Sequence, residues 1–187
     1  MRGVRPLVDV ELVAGTVDLA LGLGVADGGE GHQVRVHQLF LNDEGWLMAA
    51  PFEFDGETIT DAAIASKASI ADADIAGDYQ FMRHQYGQNT KAKAFETPVN
   101  ITLNADGTIT GAENGTWKRI AGTDYIHLTI NDVVYRGVLV KQTIDYTNIP
   151  AIAIAALSSS SGSTTLGQKS YTKQQEVWAV KADAKAA

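Results

Sequence analysis

The sequence predicts an all-β protein, with a closed or nearly closed antiparallel β-barrel of about eight strands that follows an N-terminal β-hairpin segment. From Gly77 onward, apolar and polar residues alternate with a period of two, which is typical of strands with one buried face. Turn-forming residues interrupt this alternation every 8 to 14 residues, and such spacing favours hairpin-connected strands. About eight strands of this kind are enough to close a barrel.

Three regions are expected along the chain. Residues 1–31 form an N-terminal extension whose alternating apolar residues fit one or two strands, before a Gly-rich segment at 26–31. Residues 32–75 form a hairpin, whose two runs meet at Asn42-Asp43-Glu44-Gly45, and an Ala-rich linker or short helix with Thr60-Asp61 as its cap. Residues 76–183 form the barrel.

Eight strands are predicted in the third region. They span residues 77–85, 95–103, 108–113, 115–120, 125–130, 133–143, 152–157 and 176–181. The segments between them contain ordinary hairpin residues, such as Asn104-Ala105-Asp106-Gly107 and Asn131-Asp132. The polar loop at 158–163 is expected on the surface at one end of the sheet.

Composition and charge exclude several classes of function. The 187 residues carry 22 acidic and 15 basic side chains, a net charge of -7, and no large basic cluster, so nucleic acid and anionic membranes are poor partners. There is no cysteine, and therefore neither a disulfide framework nor a thiolate metal site. The longest apolar run, 149–157, is far shorter than the roughly 20 residues of a membrane-spanning helix. Asp9, Glu11 and Asp18 interrupt any signal-peptide pattern, so no signal peptide is predicted.

Two groups of motifs resemble one known family. The run R-V-H-Q-L-F-L-N-D-E-G-W at 35–46 resembles the last strands of the catalytic domain in endo-arabinanases of glycoside hydrolase family 43, although Leu47 replaces the usual proline. The motifs G-D-Y-Q-F-M-R-H, V-N-I-T-L-N-A-D-G-T-I-T-G, N-G-T-W-K and Y-R-G-V-L-V-K-Q resemble the lipocalin-like barrel that follows the propeller in the larger members. The resemblance covers roughly residues 32–182. It implies a propeller-derived hairpin, a lipocalin-like barrel, and a secreted or periplasmic parent enzyme.

The same resemblance implies that this chain lacks the family's active site. Family 43 hydrolysis uses three carboxylates from different propeller blades, and one hairpin cannot supply all of them. None of the family's catalytic or metal positions matches a residue here, so no catalytic residue, metal ligand or cofactor is predicted. Three other acids, Glu53, Glu113 and Glu176, lie in strand-like runs. Burial inside a barrel would raise their pKa toward general-acid use, whereas an outward strand position is the simpler interpretation.

Carbohydrate binding suits such a barrel better than hydrolysis, because sugars present apolar faces to aromatic rings and hydroxyls to polar side chains. His84 precedes a polar segment with one aromatic ring, and His127 lies on the strand face opposite Ile126 and Leu128, as expected of a structural histidine. Trp117 and Tyr135 lie in mid-strand, where a barrel-filling role fits at least as well. The predicted binding residues are Trp117, Tyr135, Arg136, Tyr86 and His84, with Trp178 and Tyr125 next.

Three functions remain open. The first is a non-catalytic accessory module of an arabinan-degrading enzyme that stabilises the propeller or contacts a plant polysaccharide or oligosaccharide of the arabinan type. The second is a free-standing small glycoside hydrolase that uses barrel carboxylates. The third is a lipocalin-like carrier of a small ligand, which requires an interior emptied of large side chains. The apolar N-terminal hairpin also predicts a homo-oligomer.

Overall fold

The computed structural model describes residues 12–13, 16–20, 36–54, 65–84, 97–159 and 174–182. Its first four strands are β1 (Leu12–Val13), β2 (Thr16–Ala20), β3 (Val36–Leu41) and β4 (Leu47–Glu53). They pair as antiparallel neighbours in chain order, and we refer to them as the N-terminal sheet. The predicted hairpin is therefore confirmed, and the two strands within residues 1–31 extend it to a four-stranded meander.

The remaining eight strands close into a barrel, as predicted. Neighbours around it follow the order β10-β11-β12-β5-β6-β7-β8-β9, and every pair is antiparallel. The strands are β5 (Gly77–Arg83), β6 (Val99–Leu103), β7 (Thr108–Gly111), β8 (Gly115–Arg119), β9 (Tyr125–Ile130), β10 (Val133–Thr143), β11 (Pro150–Ser158) and β12 (Glu176–Ala182). The predicted ends differ by a few residues.

Turn chemistry fixes the register between neighbouring strands. Asn131 and Asp132 join β9 to β10 with φ angles of 50° and 64°, the two left-handed residues of a type I′ hairpin. Gly45 takes a φ of 82° between β3 and β4, where Asn42 Oδ1 accepts hydrogen bonds from the backbone N–H groups of Glu44 and Trp46. Both turns lie at the positions that the sequence predicts.

The barrel interior is filled by large apolar side chains. Its cluster includes Tyr79, Phe81, Ile101, Leu103, Ile109, Ile126, Leu128, Ile130, Tyr135, Leu139 and Ile154. Ile70 and Ile75 join this cluster from the segment that precedes β5, which contains the short helix α1 (Asp72–Ile75), and the Tyr79 hydroxyl donates to the carbonyl of Ile75 at 2.6 Å. The described interior therefore lacks the emptied space that a carrier of small apolar ligands requires.

A second apolar core joins the N-terminal sheet to the outer wall of the barrel. Phe40, Met48 and Ala50 of β3 and β4 pack against outward-facing residues of β10 and β11, namely Val138, Val140, Ala153 and Ala155. Both faces of β10 and β11 are thus covered, which explains their nearly continuous buried runs. The alanines on β11 leave room for the larger side chains of the sheet.

The linker before β5 is held by one buried carboxylate, Asp124. Its oxygens accept hydrogen bonds from the backbone N–H and hydroxyl of Ser69, at 2.8 and 2.6 Å, and pair with Arg119 at 2.6 Å. The short helix α1 begins at Asp72, near the end of the predicted linker, and the predicted cap at Thr60-Asp61 lies outside the described residues. Within the described part of the chain, no helix has the length and apolar character needed to cross a membrane.

Candidate functional site

Three basic side chains form a row across the outer wall of the barrel. Lys118 of β8 lies opposite His127 of β9, and His127 lies opposite Arg136 of β10. Because side chains alternate along a strand, paired residues at these positions share the outer face. Directly beside them, Thr116 pairs with Thr129, and Thr129 with Val134. This part of the wall is polar, in contrast to the apolar patch on β10 and β11.

The turn of the N-terminal sheet brings two acids onto this basic row. Asp43 Oδ2 lies 2.7 Å from His127 Nε2 and 3.0 Å from Arg136 Nη1, and Glu44 Oε1 lies 2.9 Å from Arg136 Nε. His127 is buried, with 7% of its surface exposed, so its hydrogen bond to Asp43 is shielded from water. We call Asp43, Glu44, His127 and Arg136 the junction cluster. It confirms the structural role that the sequence predicts for His127.

Hydrogen bonds between side chains of one unit and backbone groups of the other extend the same junction to the far end of β4. The Gln142 side chain both donates to the carbonyl of Phe52 and accepts from its N–H, at 3.0 and 3.2 Å. Asp145 Oδ1 accepts from the N–H of Glu53 at 2.8 Å, and Asn42 donates to the carbonyl of Arg136 at 3.2 Å. The N-terminal sheet is therefore fixed to the barrel along the whole length of β4.

An open groove of about 500 Å³ lies next to the junction cluster. Its walls come from β8, β9, β10 and the turn between β6 and β7, and they include Asp106, Thr116, Lys118, His127, Thr129 and Arg136. The lining is mostly polar and carries both signs of charge. Of the predicted binding residues, Arg136 and Trp117 line this groove. The side chain of Arg136 points outward from the barrel wall, whereas that of Trp117 points inward.

Trp117 points into the barrel, which agrees with the barrel-filling role. It pairs with Leu128 of the interior cluster and packs against that cluster, and its Nε1 donates to the carbonyl of Asn104 at 2.8 Å. Its ring therefore does not form the exposed platform on which a sugar would stack. Arg136 faces outward, where Asp43, Glu44 and the Ser159 hydroxyl occupy its guanidinium.

Tyr135 and His84 lie away from the groove. Tyr135 is 3% exposed inside the barrel, and its hydroxyl donates to Gln175 Oε1 at 3.2 Å. His84 follows β5 with its ring 4.2 Å from that of Trp178, in an edge-to-face contact, and its Nε2 is buried without a hydrogen-bond partner. Tyr86 lies outside the described residues. The structure thus does not bring the five predicted residues together at one site.

Of the three acids considered as general acids, Glu113 and Glu176 accept hydrogen bonds on their side chains. Glu113 lies in the connection between β7 and β8, not in a strand, and accepts hydrogen bonds from Arg83 at 2.5 Å and Asn131 at 3.0 Å. The hydrogen bond from Arg83 outweighs the opposing effect of burial and holds the pKa of Glu113 below its ordinary value. Glu176 accepts from Trp178 Nε1, and the N–H of Glu53 bonds Asp145. Glu113 is therefore ionised near neutral pH, the opposite of what a general acid requires.

No group of three or more His, Asp or Glu side chains suited to a metal ion occurs among the described residues.

Sequence patterns did not identify Lys118, Thr129 and Asp43 as members of the outer-wall site. The positions of Lys118 and Thr129 follow from cross-strand register, which the turns at 120–124 and 131–132 set. Both turns are predictable from the sequence, so the row formed by Lys118, His127 and Arg136 was predictable too, whereas Asp43 reaches it only because the N-terminal sheet docks on the barrel.

Sequence comparison finds relatives among bacterial arabinan-degrading enzymes. The chain is 44% identical over 118 residues to the extracellular endo-α-(1→5)-L-arabinanase of Thermotoga petrophila, and 38% identical over 114 residues to the extracellular endo-α-(1→5)-L-arabinanase 2 of Bacillus subtilis. Each match covers 61% of this chain and 22% of the relative. The matched part thus spans less than a quarter of the length of these curated relatives.

Solved structures with the same fold come from similar proteins. The endo-1,5-α-L-arabinanase of Thermotoga petrophila superposes with a TM-score of 0.65 at 34% identity, over 90% of this chain and 32% of that one. The glycoside hydrolase family 43 YxiA protein of Bacillus licheniformis gives a TM-score of 0.63 at 27% identity, over 91% and 32%. The family model described as the C-terminal lipocalin-like domain of glycoside hydrolase family 43 matches residues 51–167. The chain belongs to this family of C-terminal lipocalin-like domains and is homologous to the C-terminal part of family 43 endo-α-1,5-L-arabinanases.

Proposed function

We propose that this chain is the accessory barrel of an arabinan-degrading glycoside hydrolase and has no hydrolytic activity by itself. The observation that carries the proposal is the junction between the N-terminal sheet and the barrel. A four-stranded antiparallel meander is the structural unit of a β-propeller, and here such a sheet is fixed to the barrel wall by a shared apolar core and the junction cluster. A barrel with this wall is suited to hold a propeller in place.

The state of the carboxylates supports a non-catalytic role. Inverting hydrolysis needs a carboxylic acid and a carboxylate about 6.5–9.5 Å apart with room for water between them. Asp124 and Glu113 instead bind arginines directly, and Asp43 binds both Arg136 and His127. These contacts neutralise the carboxylates and fix elements of the fold, which leaves them unsuited to proton transfer.

A reducing-sugar assay on debranched arabinan tests the proposal. We expect no release of reducing ends above the blank from the folded chain, under conditions in which a full-length family 43 endo-arabinanase is active. Near-UV circular dichroism controls for folding. The proposal is wrong if the chain releases reducing ends and a single carboxylate substitution, Glu113→Gln or Asp106→Asn, abolishes that release.

The relatives also support an arabinan-type substrate and an exported parent enzyme. Both curated relatives are extracellular enzymes whose names specify α-(1→5)-L-arabinan cleavage. We infer that the parent of this chain acts outside the cytoplasm on the same class of plant polysaccharide. In that setting the barrel would be exposed to the polysaccharide together with the catalytic domain.

We further propose that the isolated chain self-associates through the N-terminal sheet. Strand alternation places Leu39, Leu41 and Leu47 on the sheet face opposite the one that packs on the barrel, and Leu47 is 50% exposed. An apolar sheet face of this kind favours association.

Light scattering coupled to gel filtration should give a mass above that of one chain, and Leu47→Lys should reduce this mass to that of the monomer. Val133→Lys, at an exposed apolar residue on the barrel, is the matched control, and equal effects of both variants would contradict the proposal.

A further inference from the structure

The groove beside the junction cluster presents polar side chains that are not members of that cluster. Lys118 is exposed and has no carboxylate partner among the described residues, although it stands in the same row as His127 and Arg136. Thr116 and Thr129 face each other next to it and present two hydroxyls. Polar groups that converge on a concave site are typical of a ligand-binding pocket.

Asp106 lies on the other wall of the groove and is a ready acceptor. Its Oδ1 accepts hydrogen bonds from the N–H and the hydroxyl of Thr108, at 3.0 and 2.6 Å, so the carboxylate is held in place, while Oδ2 has no hydrogen-bond partner within the described ranges. The hydrogen bond from the Thr108 hydroxyl holds the pKa of Asp106 below its ordinary value, and the group therefore stays ionised. Asp106 and Lys118 together supply a fixed acceptor and a mobile donor.

The charges of the groove favour an uncharged ligand. Asp43 and Glu44 already neutralise Arg136, and Asp43 also occupies His127. This leaves one anion, Asp106, and one cation, Lys118, in the lining. Three carboxylates, those of Asp43, Glu44 and Asp106, thus stand against the two cations Arg136 and Lys118, and an anionic ligand would gain little here. Vicinal hydroxyls, in contrast, can donate to Asp106 and accept from Lys118.

We propose that this groove binds a neutral saccharide through its hydroxyls, with Asp106, Lys118 and Thr129 as binding residues. The inference rests on the proposed function, which supplies the polysaccharide. Recognition depends on hydrogen bonds and not on ring stacking, because the ring of Trp117 packs into the interior of the barrel. The volume of about 500 Å³ falls within the usual range of small-ligand sites, roughly 300–1,000 Å³.

Affinity electrophoresis in gels that contain debranched arabinan tests this site. We expect the whole chain to be retarded, and Lys118→Ala to weaken binding roughly fivefold or more, because a hydrogen bond from a charged donor is lost. Asp106→Asn, which keeps an acceptor for Thr108, should weaken it as well. Lys141→Ala removes the same charge from an exposed position elsewhere on β10 and should leave retardation unchanged.

Three results would overturn the inference. These are no retardation of the folded chain, equal losses in Lys118→Ala and Lys141→Ala, or stronger and salt-sensitive retardation by polygalacturonate, which would indicate an anion site. Thermal melts establish that each variant is folded. If the chain does not bind arabinan, the proposal that it lacks hydrolytic activity still stands. If the chain hydrolyses arabinan, the proposed function is refuted, but binding in the groove is still undecided. The two proposals can therefore fail independently.

Discussion

Replacing Asp124 with alanine is expected to destabilise the barrel by about 3 kcal/mol, the lower end of the cost of breaking a buried ion pair, because Arg119 keeps a second, exposed carboxylate partner in Asp72. Asp124 is 2% exposed, and the Arg119 side chain that it pairs with is 9% exposed. The substitution also leaves the N–H of Ser69 without its acceptor. Since the same carboxylate binds the linker, Ile70 and the short helix α1 should loosen as well.

Chemical denaturation with urea, together with thermal melts, measures this effect. A loss of about 3 kcal/mol corresponds to a fall in Tm of at least roughly 6 °C for a chain of this size. The control is Asp78→Ala, because Asp78 is exposed and, within the part of the chain that the structure describes, accepts only from the Thr102 hydroxyl; its loss should cost under about 0.5 kcal/mol. Equal effects of the two substitutions would show that Asp72 alone satisfies Arg119 and that Asp124 does not hold the linker.

Gly137→Ala is expected to destabilise the protein by more than about 3 kcal/mol, at the upper end of what overpacking costs. A Cβ on Gly137 would lie 2.3 Å from the carbonyl oxygen of Ala155 and 2.5 Å from the Cβ of Ala156. The clash is with the backbone of the neighbouring strand, so β10 and β11 must move apart. The N-terminal sheet packs on the outside of these two strands, and its apolar core should be disturbed too.

Gly122→Ala provides the matched control for this prediction. Gly122 has a φ of 74° but nothing within 4 Å of its would-be Cβ, so only the left-handed conformation is penalised, by about 1–2 kcal/mol. Urea midpoints of the two variants separate the steric cost from the conformational one. If Gly137→Ala proves no worse than Gly122→Ala, β10 and β11 are not as closely packed as the structure shows.

Most of the architecture was predictable because its causes are local. Alternation with a period of two located all eight barrel strands, and turn residues such as Gly45 and Asn131 located their connections. The strand ends were less accurate, since the hydrogen bonds of Glu113 with Arg83 and Asn131 hold it in a turn. Those partners are distant in sequence, and no local pattern identifies them.

The candidate site was predicted less well because alternation does not say which face of a strand points inward. The strands β10 and β11 are apolar on both faces, and Trp117 and Arg136 both lie on strands in which either orientation satisfies the pattern. Closure of the barrel decides the matter, since it places Trp117 opposite Leu128 in the interior and Arg136 opposite His127 outside. The ring of Trp117, for which the sequence left sugar binding and barrel filling open, is therefore part of the core.

The sequence by itself determined the all-β class, the number of barrel strands, the hairpin at Gly45 and the family, because these depend on periodicity, turn residues and short motifs. Only the tertiary structure showed that the N-terminal sheet packs on the wall of the barrel, with Asp43 on His127 and Arg136 and with Asp124 buried under the linker. These contacts join residues up to 93 positions apart. Their partners are selected by the closure of the barrel and the burial of apolar surface, neither of which is encoded in any one segment.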